Sequence, residues 1–142
     1  PEGLNQMLGQ SDFVAICVPH TDETTHMIDG TAIEAMKQGA ILINIGRGKV
    51  VDLKALTVAL ENGKLSGAGL DVFEMEPLPE DHPLWRMDNV VVTPHTAWRS
   101  SYPYTEERRV EVLVENMTRY LNNKPLLNVV DKAKGYVVEA NQ

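Results

Sequence analysis

At 142 residues, 43% of them hydrophobic, the chain has the length of one ordinary domain and enough apolar sequence to bury a core. Its formal net charge of −7, with lysines and arginines scattered along the chain, excludes the basic face that a nucleic-acid backbone requires, so an anionic ligand has to be met by a local cation. The single cysteine, Cys17, excludes a disulfide framework and a cysteine metal cluster, and no apolar run reaches the length of a membrane span.

Leu4, Met7 and Leu8 mark a short amphipathic helix leading straight into an apolar strand predicted at 12–18, where Cys17 is expected to pack as a reduced core thiol. A chain opening in this way, with no charged-then-apolar leader, is expected to be a piece of a longer, cytoplasmic protein. A polar connector carrying His20 and His26 follows, and neither histidine is assigned a catalytic role. Thr31-x-x-Glu34 then reads as a capping box, with Ile33 and Met36 on one face and Gly39 as terminator. A second strand is predicted at 40–45. Past it, Asp52 is an acceptable N-cap for a helix carrying Leu53, Leu56 and Leu60 that stops at Asn62-Gly63.

The third strand is predicted at 67–72, and the connector at 74–87 holds Pro77, Pro79 and Pro83, which exclude a regular helix. A fourth strand at 89–93 runs into Pro94-His95. The longest helix is predicted at 105–122, with Val110, Leu113, Val114, Met117 and Leu121 along one face; Pro125 ends it, and 126–142 reads as an extended tail that needs another body to pack against. Apolar runs alternating with helical periodicity predict an α/β fold, with a parallel sheet buried on both faces.

In open α/β sheets the ligand crevice lies outside the carboxyl ends of the strands. Three predicted ends carry chemistry there: Arg47 between Gly46 and Gly48, the carboxylates Asp71, Glu74 and Glu76, and His95. On the residues alone, Arg47 is either a planar fork for an anion or a surface arginine in a glycine turn. His95 is either a proton-transfer group or a structural histidine, and Asp71 is either a ligand acceptor or a strand-end turn acceptor. Lys49 reads as a solvated loop charge, as does Glu74, although nothing in the residues separates Glu74 from Glu76.

Four motifs in order resemble the carboxy-terminal half of the D-isomer-specific 2-hydroxyacid dehydrogenases. They are Ser11-Asp12-Phe13 with Val18-Pro19 and Thr21 to Thr24, the run from Asn44 to Asp52 around Arg47, Leu70-Asp71-Val72-Phe73 with Glu76-Pro77-Leu78-Pro79, and Thr93-Pro94-His95-Thr96-Ala97. The family's Gly-x-Gly-x-x-Gly turn and its ribose-binding acid do not occur in this chain. The resemblance therefore implies a partial Rossmann-like fold lacking the first βαβ units, with 1–104 as the second half of an NAD(P)-binding domain and 105–142 as a helix and tail returning toward a substrate domain.

It further implies hydride transfer between NAD, with NADP left open, and a small D-2-hydroxy or 2-oxo acid in a homodimer that binds neither nucleic acid nor membrane and needs no metal. Arg47, Glu76 and His95 would be catalytic: Arg47 anchors the substrate carboxylate, His95 moves the hydroxyl proton, and Glu76 orients His95 and favours its imidazolium. Val18, Pro19, Thr24, Ile45, Gly46, Arg47, Asp71, His95 and Ala97 would line the cofactor, and Arg47, His95 and Trp98 the substrate. Trp98 departs from the commonest family pattern and resembles the subset containing the C-terminal binding protein corepressors; it either walls the pocket or packs under the next helix. Two rival functions are an NAD-sensing, non-enzymatic module of that kind and a fragment inactive by itself.

Overall fold

The computed structural model describes residues 3–97 and 103–137, which fall into two compact units, one ending at Ala97 and one built on the long helix. In the first, the strands β1 (Phe13–Ile16), β2 (Ala40–Asn44), β3 (Leu65–Leu70) and β4 (Val90–Val92) lie side by side in chain order, all parallel. Parallel neighbours need a crossover at each step. The helices α2 (Gly30–Ala35) and α3 (Leu53–Glu61) supply the first two, and the proline loop, regular only in a 3-10 turn at Pro83–Arg86, supplies the third. The short α1 (Leu4–Leu8) precedes β1 and packs on α2. This is the Rossmann-like parallel architecture expected. Each strand ends one or two residues before its predicted limit, and for β2, β3 and β4 the last ladder bond comes from the first residue beyond: Ile45 N–H donates to Ile16 (3.2 Å), Asp71 N–H to Asn44 (3.0 Å) and Thr93 N–H to Leu70 (2.9 Å).

Asp52 caps α3 as predicted, its Oδ1 accepting the Ala55 N–H at 2.9 Å. The capping box at Thr31 does not form. Asp29 is the N-cap of α2, accepting the Ala32 N–H at 2.8 Å, because a carboxylate two residues upstream is the stronger acceptor and leaves Thr31 inside the helix.

Val14, Ile16, Leu42, Ala68 and Leu70 point to one sheet face and bury with Ile28, Ile33, Leu56 and Leu60 from the crossover segments. The other face carries Phe13 and Val91, about two-thirds exposed at 67% and 66%. The expectation of a sheet covered on both faces is therefore not met within this unit, because both helical crossovers close over the same side. Cys17 is also a correction. It is exposed, because the ladder ends at Ile16 and the thiol falls in the loop beyond the core.

The second unit contains α4 (Pro103–Leu121), whose predicted apolar stripe is present but exposed at Val110, Leu113, Val114, Met117 and Leu121. Three intrahelical ion pairs, including Arg119–Glu115 at 2.6 Å, run along it. Asn116 ties the tail back by accepting the Leu127 N–H (2.7 Å) and donating to its carbonyl (3.1 Å). The tail is not simply extended: Val130–Asp131 (β5) and Tyr136–Val137 (β6) pair antiparallel, and Gly135, at φ 76, makes the turn. Among the described residues no helix is long and apolar enough to cross a membrane, and no cluster of His, Cys, Asp or Glu could hold a metal ion.

Candidate active site

Arg47 stands in extended backbone (φ −144, ψ 141) just past β2, and its turn is fastened from below by Asn44, the buried polar residue of that strand. The Asn44 side chain accepts the Gly46 N–H and donates to the Arg47 carbonyl, both at 3.1 Å, which satisfies the buried amide and pins the turn with one group. The two flanking glycines answer to different neighbours. A Cβ on Gly46 would lie 2.9 Å from the Val18 carbonyl oxygen beyond β1, and one on Gly48 would lie 1.9 Å from the Phe73 carbonyl beyond β3. Arg47 is thus wedged between two strand ends, with its guanidinium on the exposed edge and Nη1 donating to the Gly46 carbonyl at 2.8 Å. Lys49 is exposed, as predicted.

Glu76 lies in the proline loop, before the cis bond to Pro77. Its Oε1 accepts the Phe73 N–H at 3.0 Å and its Oε2 meets His95 Nδ1 at 2.7 Å. Partial burial works to raise the Glu76 carboxyl, but the hydrogen bond from His95, that from Phe73 and the His95 charge together hold it below the ordinary carboxylate range, against a small opposing push from Asp71. An ionised carboxylate only accepts hydrogen bonds. Nδ1 therefore carries the proton of this contact, and Nε2 of a neutral His95 is left with its lone pair. Orientation and tautomer are set by one contact.

His95 adopts a left-handed φ of 51, uncommon for a side-chain-bearing residue, and Asp71 holds it there. Asp71, at 3% exposure, accepts the Thr93 hydroxyl and the Thr96 N–H (2.8 Å) at Oδ1 and the Ala97 N–H (2.8 Å) at Oδ2, while its carbonyl accepts the His95 N–H at 2.9 Å. Burial pushes the Asp71 carboxyl up, but the bonds from Thr93, Ala97 and Thr96 and the His95 charge outweigh it and hold it below its ordinary value. The strand-end acceptor reading of Asp71 is thus visible in its contacts, with one acceptor position of Oδ2 remaining.

The structure brings Arg47, Glu76 and His95 to one cavity of about 280 Å³, lined also by Phe73, Glu74, His20 and Lys49. An apolar cavity of about 200 Å³, between Phe73, Leu78, Trp85 and Pro94, also borders the Glu76–His95 pair. Val18 is half-buried two residues after β1, Pro19 and Ile45 are exposed, and Thr24 closes its own loop by donating to the Pro19 carbonyl and accepting the Thr21 N–H, both at 2.8 Å. Ala97 is exposed, with its N–H held by Asp71. Trp98 lies outside the described residues.

Glu74 is not the solvated charge expected. One oxygen pairs with His26 Nε2 and the other accepts the Leu53 N–H at 3.1 Å, so it is shared between two distant segments. Asn44 was legible as a polar residue ending an apolar run, whereas His26 gave no comparable signal.

A parallel sheet whose carboxyl edge gathers an arginine wedged by glycines and a histidine fixed by a carboxylate has the ligand-binding edge of a dinucleotide-domain type of fold. Residues 1–97 match the family model for the D-isomer specific 2-hydroxyacid dehydrogenase, NAD binding domain, and the chain belongs to that family. It is similar to the glyoxylate reductase of Korarchaeum cryptofilum, 46% identical over 129 residues that make up 91% of this chain and 38% of that protein. It is 45% identical to glyoxylate/hydroxypyruvate reductase B of Cronobacter sakazakii, over 90% of this chain and 39% of that protein. Among solved structures it superposes with a TM-score of 0.87 on the D-isomer specific 2-hydroxyacid dehydrogenase of Xanthobacter autotrophicus Py2 in complex with NADPH and MES, at 43% identity, covering 95% of this chain and 54% of that one. It superposes at 0.85 on the NADPH-dependent glyoxylate/hydroxypyruvate reductase of Sinorhizobium meliloti in complex with NADP and sulfate, at 33% identity, covering 94% of this chain and 43% of that one. The chain spans about two-fifths of the length of these two curated relatives.

Proposed function

We propose that the full-length protein transfers hydride between a nicotinamide dinucleotide and a small D-2-hydroxy acid or its 2-oxo acid. The observation that carries this reading is the convergence of Arg47 and the Glu76–His95 pair on one cavity at the carboxyl edge of the sheet. The glyoxylate and hydroxypyruvate reductases it resembles make those two 2-oxo acids the first substrates to try.

The edge suits a dinucleotide. The half-buried Val18 and the exposed Ile45 offer apolar surface beside the turn at Gly46, and the remaining acceptor position of Asp71 and the exposed Ala97 stand at the next strand ends. Val18, Pro19, Thr24, Ile45, Gly46, Arg47, Asp71, His95 and Ala97 would hold the group. NAD or NADP, when bound, supplies the hydride donor or acceptor. Arg47 grips the substrate carboxylate with its planar fork and polarises the neighbouring 2-oxo oxygen. In oxidation His95 Nε2 takes the hydroxyl proton, and in reduction the imidazolium returns a proton to the oxygen at that position. Glu76 balances the imidazolium charge and keeps Nε2 aimed. The reading extends to a cytoplasmic homodimer, for which light scattering should give the mass of two subunits.

The test is absorbance of the reduced nicotinamide across a panel of small 2-oxo acids. Turnover with glyoxylate or hydroxypyruvate is expected. Arg47→Lys should lower kcat/KM by about 10²-fold and damage catalysis more than cofactor binding, since a point charge does not reproduce a bidentate clamp. No turnover with NADH or NADPH on any acid would overturn the reading.

A further inference from the structure

We infer that His26 and Glu74 are positioning residues, which tie the Arg47 turn to the Glu76 loop so that the two ends of one small substrate meet their partners together. The inference rests on the roles proposed above for Arg47, Glu76 and His95.

Residues 26–28 run alongside the segment that follows Arg47. His26 N–H donates to the Lys49 carbonyl (2.8 Å), Ile28 N–H to Val50 (3.0 Å) and Asp52 N–H to Ile28 (3.0 Å), closing a parallel bridge between Ile28 and Val51. His26 takes a left-handed φ of 48, a conformation that costs energy for a side-chain-bearing residue and persists where surrounding contacts hold it. From this position its Nε2 pairs with Glu74 Oε1. Glu74 Oε2 accepts the N–H of Leu53, one of the donors left unpaired at the start of α3. Glu74 is also the residue after Phe73, whose carbonyl packs on Gly48 and whose N–H bonds Glu76. One carboxylate thus joins three segments, 26–28, 48–53 and 73–76; Arg47 directly precedes the second, and the third contains Glu76.

This contact is poorly suited to a purely stabilising role. The His26 and Glu74 side chains are 46% and 30% exposed, and ion pairs that wet add little to stability. What the pair fixes is relative position. Arg47 and His95 must engage the carboxylate and the adjacent oxygen of the same molecule, and a small slip between their supports misaligns the reaction without releasing the carboxylate from Arg47. Glu74 lines the same cavity as Arg47 and His95, but its two oxygens are turned to His26 and the Leu53 N–H, so the role inferred for it runs through these supports.

The experiment uses the full-length enzyme with Glu74→Ala, His26→Ala, the double variant and Glu74→Gln. In 2-oxo acid reduction each alanine variant should lose roughly tenfold in kcat, with KM held within about twofold. The double variant should be no worse than the poorer single one, as expected for one linked device. Glu74→Gln, which still accepts the Leu53 N–H and can donate its amide to His26 Nε2 once that imidazole takes its other tautomer, should recover most of the loss. In Glu74→Ala, amide exchange should quicken at Leu53 and at 73–76 but not in β1–β3.

Unchanged kcat in both single variants, losses that multiply in the double, or exchange quickened across the whole sheet would overturn the inference. If the wild type turns over and Arg47→Lys impairs it while Glu74→Ala does not, the brace fails and the proposed function stands. If the wild type is silent on every acid, the proposed function fails and the exchange measurement still decides whether Glu74 ties the segments; unchanged exchange at Leu53 would overturn the tie.

Discussion

Arg47 and His95 project from the ends of β2 and β4, on either side of β3, and they are placed by opposite means. The Arg47 turn is fixed by exclusion: Gly46 and Gly48 admit neighbouring backbone so closely that a methyl group at either position meets carbonyl atoms, and Asn44 closes the turn from within the sheet. The His95 loop is fixed by attraction, with a left-handed residue held by hydrogen bonds that converge on the buried carboxylate of Asp71. Steric placement is indifferent to protons and intolerant of any added atom. Placement by a carboxylate tolerates changes of volume nearby but depends on ionisation. The site thus has one support that sterics breaks and another that acid breaks.

The steric support should show the larger effect. Gly48→Ala puts a Cβ 1.9 Å from the Phe73 carbonyl and 2.5 Å from the Glu74 nitrogen, backbone atoms that cannot rotate away. A loss of about 3 kcal/mol or more in urea unfolding is expected, with abolished turnover. Gly39→Ala is the matching control: φ is 78 there but nothing lies within 4 Å, so only the left-handed strain, about 1 kcal/mol, should appear. Equal losses at the two glycines would show that close approach does not fix the Arg47 turn.

Asp71→Asn tests the other support. The amide keeps the shape but turns one acceptor into a donor facing an N–H, so at least one bond to Thr96 or Ala97 is lost, at about 1–3 kcal/mol. Misaiming His95 should lower kcat by about 10²-fold and spare the Arg47-dependent KM.

The mildest perturbation is acid. Asp71 and Glu76 are both held below their ordinary values, so the stability they contribute is complete above the unfolded carboxyl range and is lost as pH falls through the depressed folded values. The Thr96 and Ala97 amide resonances should therefore move in acid while those of Ile45 and Gly46, bonded to the Ile16 carbonyl and the Asn44 side chain, stay put. Simultaneous movement of both sets would erase the distinction between the two supports.

Much of this arrangement was legible in the residues. Apolar runs alternating with the Asp52 cap and the Asn62-Gly63 stop specify strands and crossovers because local propensity and burial agree there. The chemistry at three strand ends was visible for the same reason. What escaped was long-range. Nothing near Glu74 announces His26, 48 residues upstream, so its charge read as solvated. The flanking glycines were plain, but which backbone each admits is decided by strands that meet only in the fold. Cys17 followed an apolar run that continued past the end of its ladder, and Thr31 competed for a cap with an upstream carboxylate that a motif search passes over. The stripe on α4 was read correctly, but a stripe does not specify what covers it.

The central claim, that Glu76 tunes and aims the proton-transferring His95, is tested most directly by kcat/KM against pH in both reaction directions for the full-length enzyme and its Glu76→Gln variant. Removing the negative charge beside Nδ1 makes the imidazolium harder to form. Oxidation, which needs the neutral base, should then extend to lower pH in the variant, while reduction, which needs the imidazolium, should weaken near neutrality. A depression of both directions with neither limb displaced would contradict the account and leave Glu76 a merely structural acceptor.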